Sequence, residues 1–231
     1  MSSGLRRVLF ASTNPHKVDE VRAILGEHGI EVVGLEDVRV VTGRVGPPPA
    51  SLRSAPSPLR GEGGGSAADL PEPEEDADTF EGNAAIKAVY YARATGMVCL
   101  ADDSGLMVDA LGGAPGVRSA RYAGIGSTRA ERDAANNAKL LRELAGVPDA
   151  HRTARFVCAM VMASPEGEIL ATTRGTFEGR IGLAPKGSNG FGYDPLLVID
   201  DGRTSAELTE AEKNARSHRG EAARAMVGYL V

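Results

Sequence analysis

The 231-residue chain is 42% hydrophobic and 25% charged, which suits one large globular domain or two small ones with material for a sizeable core. Its formal net charge of -5 argues against a general nucleic-acid surface, which needs an excess of Lys and Arg, but allows a small anionic ligand held by local cations. No stretch approaches about eighteen apolar residues, and Met1 to Phe10 lacks the apolar length and cleavage site of a secretory signal, so a cytoplasmic protein with no membrane partner is expected.

Val8 to Ala11 is a short apolar run, followed by Ser12-Thr13-Asn14-Pro15-His16-Lys17 and then Val18, Val21, Ile24 and Leu25 at helical spacing up to Gly29. The pattern predicts strand, polar turn, helix. Ile30 to Leu35 reads as a second strand, so a parallel β-α-β opening puts the first turn at a carboxyl edge, where ligands of α/β sheets bind. From Val41 to about Pro73 the periodicity vanishes into proline, glycine and serine. This predicts a disordered or loosely held insertion, and removal of Gly46 to Ala68 is expected to leave folding intact.

Thr79 is placed to cap a helix through Ala84, Ala88, Tyr91 and Ala92 that stops at Gly96, and Met97 to Ala101 reads as a buried strand ending in Asp102 and Asp103. The acidic doublet is expected at a strand exit, with Gly105 letting the backbone bend so that one carboxylate faces a cavity. Thr128 and Glu131 form a capping box for a helix through Leu140, Leu141 and Leu144 that ends at Gly146. Thr153 to Ala163 and Glu168 to Phe177 read as a hairpin, which makes the sheet mixed. Thr209 and Glu212 form a second capping box, and Ala222, Ala223, Met226, Val227 and Leu230 follow at helical spacing. Cys99 and Cys158 lie inside apolar runs without metal-ligand spacing and read as buried small hydrophobes.

Four segments could carry chemistry. The acidic doublet could hold a hard cation, since Mg²⁺ takes one or two carboxylates and leaves its other positions to water and substrate oxygens; an Asp-rich turn capping the next element reads the same way. Ser12 to Lys17 combines hydroxyls, an amide and a lysine with a helix start, which suits phosphate, although N-capping by Ser12 or Asn14 explains half of it. Lys186 to Pro195 sets glycines around Phe191 and Tyr193, with Asp194 before a proline. Aromatic faces suit a base and a carboxylate can accept from its edge, but a glycine-rich loop packing its aromatics on the core reads equally well. Glu212 to Gly220 gathers Lys213, Arg216, His218 and Arg219. At about 100° per residue Lys213 and His218 fall off a common helical face, so convergence requires a break near Ser217, itself a good N-cap. A helix starting there would aim His218 and Arg219 at an anion.

Together and in order, these segments match a family pattern. Ser12 to Lys17 fits S/T-x-N-x-x-K, Thr79 to Ala88 fits T-F-x-x-N-A-x-x-K-A, and Ala101 to Gly124 reads A-D-D-S-G-L-M-V-D-A-L-G-G-A-P-G-V-R-S-A-R-Y-A-G; G-F-G-Y-D-P from Gly190 and A-E-L-T-E-A-E-K-N-A-R-S-H-R-G from Ala206 complete it. The chain resembles the inosine triphosphate pyrophosphatase-like family, in particular the bacterial RdgB-type XTP/dITP pyrophosphatases, over nearly everything except about Val41 to Pro71.

The resemblance implies a single α/β domain over 1–231, with a mixed, strongly twisted central sheet flanked by helices and an active site in the cleft between two lobes. It implies a homodimer that uses Mg²⁺ to cleave ITP, dITP and XTP between the α and β phosphates, giving monophosphate and pyrophosphate and clearing deaminated purines from the nucleotide pool. Asp103 would be metal ligand and proton acceptor for the attacking water, with Ser104 beside it on the substrate. Glu74 would be the second metal ligand, with Glu75 as the adjacent alternative. Ser12, Thr13, Asn14, Pro15, His16, Lys17 and Lys87 would hold phosphate or sugar. Phe191, Gly192, Tyr193, Asp194, Lys213, His218 and Arg219 would surround the base and its 6-oxo group. Gly82 stands where many members carry glutamate, so an acidic group near the metal is expected to be missing. The competing readings are a Maf-like pyrophosphatase, against which Ser217-His218-Arg219 and Phe191 to Pro195 speak, and a catalytically silent nucleotide-binding regulator, against which Asp103, Lys17 and Lys87 speak.

Overall fold

The computed structural model describes residues 7–41 and 65–231, so most of the insertion expected from Val41 to Pro73 lies outside the described residues. The described chain runs β1 (Arg7–Phe10), α1 (Pro15–Gly26), β2 (Glu31–Val33), α2 (Phe80–Thr95), β3 (Cys99–Val108), α3 (Arg129–Glu143), β4 (Thr153–Ala163), β5 (Ile169–Ile181), β6 (Leu197–Val198), α4 (Glu210–Arg216) and α5 (His218–Leu230). The strands form one sheet in the order β2-β1-β3-β4-β5-β6. β1 pairs in parallel with β2 and β3, whereas β5 pairs antiparallel with β6, so the sheet is mixed as expected.

The sequence punctuation becomes the helix ends. Asn14 caps α1, accepting from the His16 amide, with Pro15 in the first turn where its missing N–H costs nothing. Thr79 caps α2 by accepting from the Gly82 amide, and α2 stops where Gly96 takes a left-handed φ of 67°. Capping boxes open α3 at Thr128 with Glu131 and α4 at Thr209 with Glu212.

The chain forms two compact units, one of residues up to Asp103 with Ala159–Arg174 and Arg219–Val231, the other of Ser104–Cys158 with Gly175–His218. In the first, Ala84, Ala88 and Ala92 recur every fourth residue of α2 and are fully buried beside Leu9, Ala11, Cys99 and Ala101. Small side chains on that stripe let the helix backbone lie close against β1 and β3. In the second, Leu106, Val108, Leu140, Leu144, Phe156, Phe177, Ile181 and Leu197 share a core. Arg152, buried there, donates to the carbonyls of Leu144, Ile181 and Gly182 at 2.8–3.1 Å, satisfying backbone acceptors at the ends of α3 and β5. Both cysteines are buried, and burial pushes the Cys99 thiol well up, as their apolar setting anticipated.

Two expectations need correction. The acidic doublet does not sit at a strand exit: β3 runs as one uninterrupted strand from Cys99 through Asp102, Asp103 and Gly105 to Val108. The loose segment also ends earlier than Pro73. Ala67 is fully buried in the first core, its amide donates to Val38 O at 2.7 Å, and the Ser66 hydroxyl donates to Leu35 O at 2.9 Å. A segment making those bonds is part of the domain, however poor its periodicity. No helix among the described residues is long and apolar enough to cross a membrane.

Candidate active site

The register of the parallel pair brings the first constellation together. Leu9 pairs with Cys99 and Phe10 with Leu100, and the Ala11 amide donates to Leu100 O at 2.8 Å. The chain leaving β1, Ser12 to Asn14, is thereby set beside the middle of β3, where Asp102 and Asp103 follow. Successive strand residues project to opposite faces, so the doublet is split.

Asp102, 1% exposed, receives Lys17 Nζ at 3.1 Å on Oδ1 and 3.0 Å on Oδ2, and Arg219 Nε at 3.1 Å. Arg219, equally buried, also donates from Nη1 to Glu20 Oε2 at 2.7 Å. Burial alone would raise the Asp102 pKa, but Lys17, Arg219 and Lys87 outweigh it and hold the carboxyl well below the usual range.

Asp103 meets α2 instead. Asn83 Nδ2 donates to Asp103 Oδ2 at 3.1 Å, while Asn83 Oδ1 accepts from the Ala77 amide at 3.0 Å, which fixes the amide's orientation. One helical turn on, Lys87 Nζ lies 3.2 Å from Glu75 Oε1. Burial works against the Lys87 ammonium, yet the carboxylates of Glu75, Asp102 and Asp103 hold its pKa above the ordinary value. Burial raises the Asp103 pKa and the charge of Glu75 adds to this, with Lys87 opposing. Two chain neighbours thus have carboxyls driven in opposite directions, the usual mark of divided labour in a site.

The second unit holds its own constellation around Asp194, which is 2% exposed. Its carboxylate accepts from Lys213 Nζ at 2.6 Å, Ser205 Oγ at 2.8 Å and the Phe191 amide at 2.8 Å. Gly190, at φ 75°, has no room for a side chain, because a Cβ there would strike the Asp194 carboxylate. The Arg129 guanidinium lies 4.5 Å and the Lys213 ammonium 5.2 Å from the Phe191 ring centroid. Ser217 is extended, breaking α4 from α5, and His218 begins the new helix with its ring stacked on Phe156 at 5.2 Å. The break anticipated near Ser217 is present.

The structure sorts the sequence-predicted residues as follows. Lys17, Lys87, Asp103 and Arg219 fall within one set of linked charges, and Phe191, Asp194 and Lys213 within another. Ser12 accepts from the Asn14 amide, the Thr13 hydroxyl donates to Glu72, and Pro15 and His16 are exposed at the start of α1. Ser104 is half-buried, next to Asp103 in β3. Glu74 is exposed, and Glu75 is the acid that reaches Lys87. Gly192 is tied to α3, its amide donating to Asp133 and its carbonyl accepting from Asn137. Tyr193 is a core residue whose hydroxyl donates to Ser119 O at 2.9 Å, and Asp194 spends its oxygens on internal donors. Asn83, Glu20 and Ser205 carried no role in the sequence reading. Two of them were detectable, since Asn83 stands four residues before Lys87 and Glu20 three after Lys17, each on the same helical face as a marked lysine.

These features define an α/β protein with a buried carboxylate and lysine cluster beside the carboxyl end of a parallel strand pair, the class of site that handles phosphorylated ligands. The chain belongs to the Ham1 family, whose model matches residues 8–229. A protein of Exiguobacterium sibiricum named dITP/XTP pyrophosphatase is 45% identical over 97% of this chain and 96% of its own length. One of the same name from Nocardia farcinica is 45% identical over 98% and 95%. The chain is similar to a HAM1 protein from Coxiella burnetii at TM-score 0.74 and 34% identity, covering 97% of this chain and 98% of that one. It is also similar to a nucleoside-triphosphatase, dITP/XTP pyrophosphatase, from Mycobacterium abscessus at TM-score 0.66 and 42% identity, over 95% and 98%.

Proposed function

We propose that this protein hydrolyses the non-canonical purine nucleoside triphosphates ITP, dITP and XTP to the monophosphate and pyrophosphate, with Mg²⁺ as cofactor. The observation that carries the reading is the divided doublet: Asp102 is held ionised by Lys17 and Arg219, while Asp103 is held by the neutral amide of Asn83. The membership and names of the relatives supply the substrate class.

Among the described residues no three His, Cys, Asp or Glu side chains group closely enough to hold a metal ion by themselves. The donor set fits Mg²⁺ nonetheless, because that ion uses one or two carboxylates and takes substrate oxygens and water for the rest. Asp103 and Glu75 are two oxygen donors whose charges bear on each other and on Lys87, an arrangement that a cation would relieve. Glu75 therefore replaces Glu74 as the second ligand in this reading. The ion, when bound, would neutralise charge on the triphosphate.

Asp103 accepts the proton of the water that attacks the α phosphorus, and the bond to the bridging oxygen breaks with pyrophosphate leaving. Asn83 keeps the accepting carboxylate in one orientation. Lys17, held by Asp102, and Lys87, held by Glu75, present fixed positive charge to the developing negative charge without reorganisation. The amides and hydroxyls of Ser12, Thr13 and Asn14 at the start of α1 add donors for phosphate. Purine recognition is assigned, by the family resemblance, to Phe191, Lys213, His218 and Arg219, where cationic donors would favour a 6-oxo acceptor over a 6-amino donor. Asp194 serves this site by orienting Lys213.

The reading carries the expectation of a cytoplasmic homodimer. Its test is pyrophosphate release from ITP in the presence of Mg²⁺: robust turnover of ITP with weak turnover of ATP is expected, and comparable kcat/KM for the two would sink it. Binding of ITP without pyrophosphate release would instead support a silent nucleotide-binding regulator.

A further inference from the structure

We infer that one face of α3, carrying Arg129, Asp133 and Asn137, is a platform that positions Phe191 for contact with the base. This deepens the proposed function and rests on its assignment of Phe191 to the purine. The three residues recur every fourth position, so they form one stripe along the helix, and all three bear on the segment from Phe191 to Gly192. Asp133 Oδ2 accepts from the Gly192 amide at 3.0 Å, and Asn137 Nδ2 donates to the Gly192 carbonyl at 2.9 Å. The Arg129 guanidinium, 4.0 Å from the Asp133 carboxylate, lies 4.5 Å from the Phe191 ring centroid.

The peptide groups on both sides of the Phe191 α-carbon are thereby held. The Phe191 amide donates to Asp194 Oδ2 at 2.8 Å, and the next amide, that of Gly192, is taken by Asp133. With both peptide planes fixed, the two soft backbone torsions of Phe191 are set and its ring keeps only its side-chain torsions, on which the Arg129 guanidinium acts. Gly192, at φ 63°, turns through the left-handed region, so its N–H and its carbonyl meet two residues one turn apart on α3. Asn137 shows what this grip is for. Its Oδ1 is buried without a hydrogen-bond partner among the described residues while its Nδ2 serves Gly192. An acceptor left unpaired offsets the bond that the same side chain makes, so Asn137 adds little net stability and its effect is on where the loop sits.

The experiment compares Asp133→Ala and Asn137→Ala with Phe191→Ala, which removes the ring itself. Initial rates with ITP at saturating Mg²⁺ give kcat and KM separately. Inhibition by inorganic tripolyphosphate, which has no base, reports the phosphate side of the site, and thermal unfolding reports the fold. Both α3 variants are expected to raise KM for ITP about three- to tenfold, the weight of one hydrogen bond, with kcat and the tripolyphosphate inhibition constant within about twofold of wild type. Asp133→Asn, whose side-chain oxygen can still accept from Gly192, is expected to restore most of the KM. If Phe191→Ala raises KM and the two α3 variants do not, the platform is wrong and the base-facing role of Phe191 survives. If Phe191→Ala leaves KM unchanged, that role is wrong and the inference falls with it. Should one α3 variant fail to fold, the other decides. A parallel rise in the tripolyphosphate constant, or failure of both to fold, makes this face of α3 a structural support and overturns the inference.

Discussion

Asp102 and Asp103 are adjacent in β3 and serve opposite faces, the first bound by Lys17 and Arg219 and the second by Asn83. Strand alternation does this without any special backbone, and it places two carboxylates in contrasting electrostatic surroundings one residue apart. Substitutions at the two positions should therefore fail in different ways.

Asp103→Asn removes the charge of the proposed base without changing side-chain volume, and Asn83 can still hydrogen-bond it. Turnover of ITP is expected to fall at least about 100-fold with little change in Tm, as for loss of a general base. Initial rates and a thermal melt on the same preparation check both halves, and residual activity above a tenth of wild type would remove Asp103 from the role.

Asp102→Asn is a stability lesion first. Neutralising it leaves Lys17 and Arg219 with a buried partner lost, which costs about 3–5 kcal/mol. The sign with pH follows from the depressed carboxyl: its contribution is complete above the unfolded pKa of about 3.9 and is lost as pH falls below that toward the folded value. Urea unfolding from pH 7 down to 3 should show a constant gap between wild type and Asp102→Asn down to about pH 4 that only begins to narrow below it.

The punctuation of this fold was legible, because caps are local: Thr79, Gly96, Thr128 with Glu131, Thr209 with Glu212 and the break at Ser217 all act within a few residues of themselves. The family spacing also marked Lys17, Lys87 and Asp103, which the structure brings into one set of linked charges. What was not legible is what crosses the chain. The extension of β3 through the doublet depends on neighbouring strands, and the burial of Ala67 depends on Val38 and Leu35, neither of which periodicity reports. Tyr193 and Asp194 were read as facing a base because their types suit one, whereas Ser119, Ser205 and Lys213, distant in sequence, are what engage them.

The choice between two neighbouring glutamates follows from Lys87. Glu75 pairs with it at 3.2 Å and bears on Asp103, while Glu74 is exposed. Glu75→Gln is expected to raise the Mg²⁺ concentration for half-maximal rate several-fold, and Glu74→Gln to leave it within about twofold, as for a surface substitution. Metal titrations of the two variants decide it, and the reverse order would return the ligand to Glu74.

Removal of Gly46 to Ala68 is now expected to destabilise the protein rather than leave it untouched. The cut takes away Ala67, fully buried, together with the Ser66 hydroxyl and the Ala67 amide that satisfy Leu35 O and Val38 O. Leaving two buried carbonyls without donors costs about 1–3 kcal/mol each. A deletion stopping at Gly61 keeps these contacts, so the difference in Tm between the two deletions isolates them, and equal Tm values would refute the assignment.

Introducing at position 82 the glutamate that the family resemblance leads one to expect should harm this chain. A Cβ on Gly82 would stand 2.6 Å from Ala77 Cβ and 3.0 Å from Thr79 Oγ1, closer than side-chain carbons tolerate. The residue that must yield is Ala77, whose amide donates to Asn83 Oδ1 and so keeps Asn83 turned toward Asp103. Gly82→Glu is thus expected to lower Tm by a few degrees, an overpacking cost of about 1–3 kcal/mol, and to reduce kcat on ITP despite adding a carboxylate close to the acidic site. Gly82→Ala separates the causes, since it brings the clash without the charge and should reproduce most of both losses. A Gly82→Glu protein that is faster than wild type would mean that Ala77 moves freely, and that the bond from the Ala77 amide to Asn83 Oδ1 is not what holds Asp103 in place.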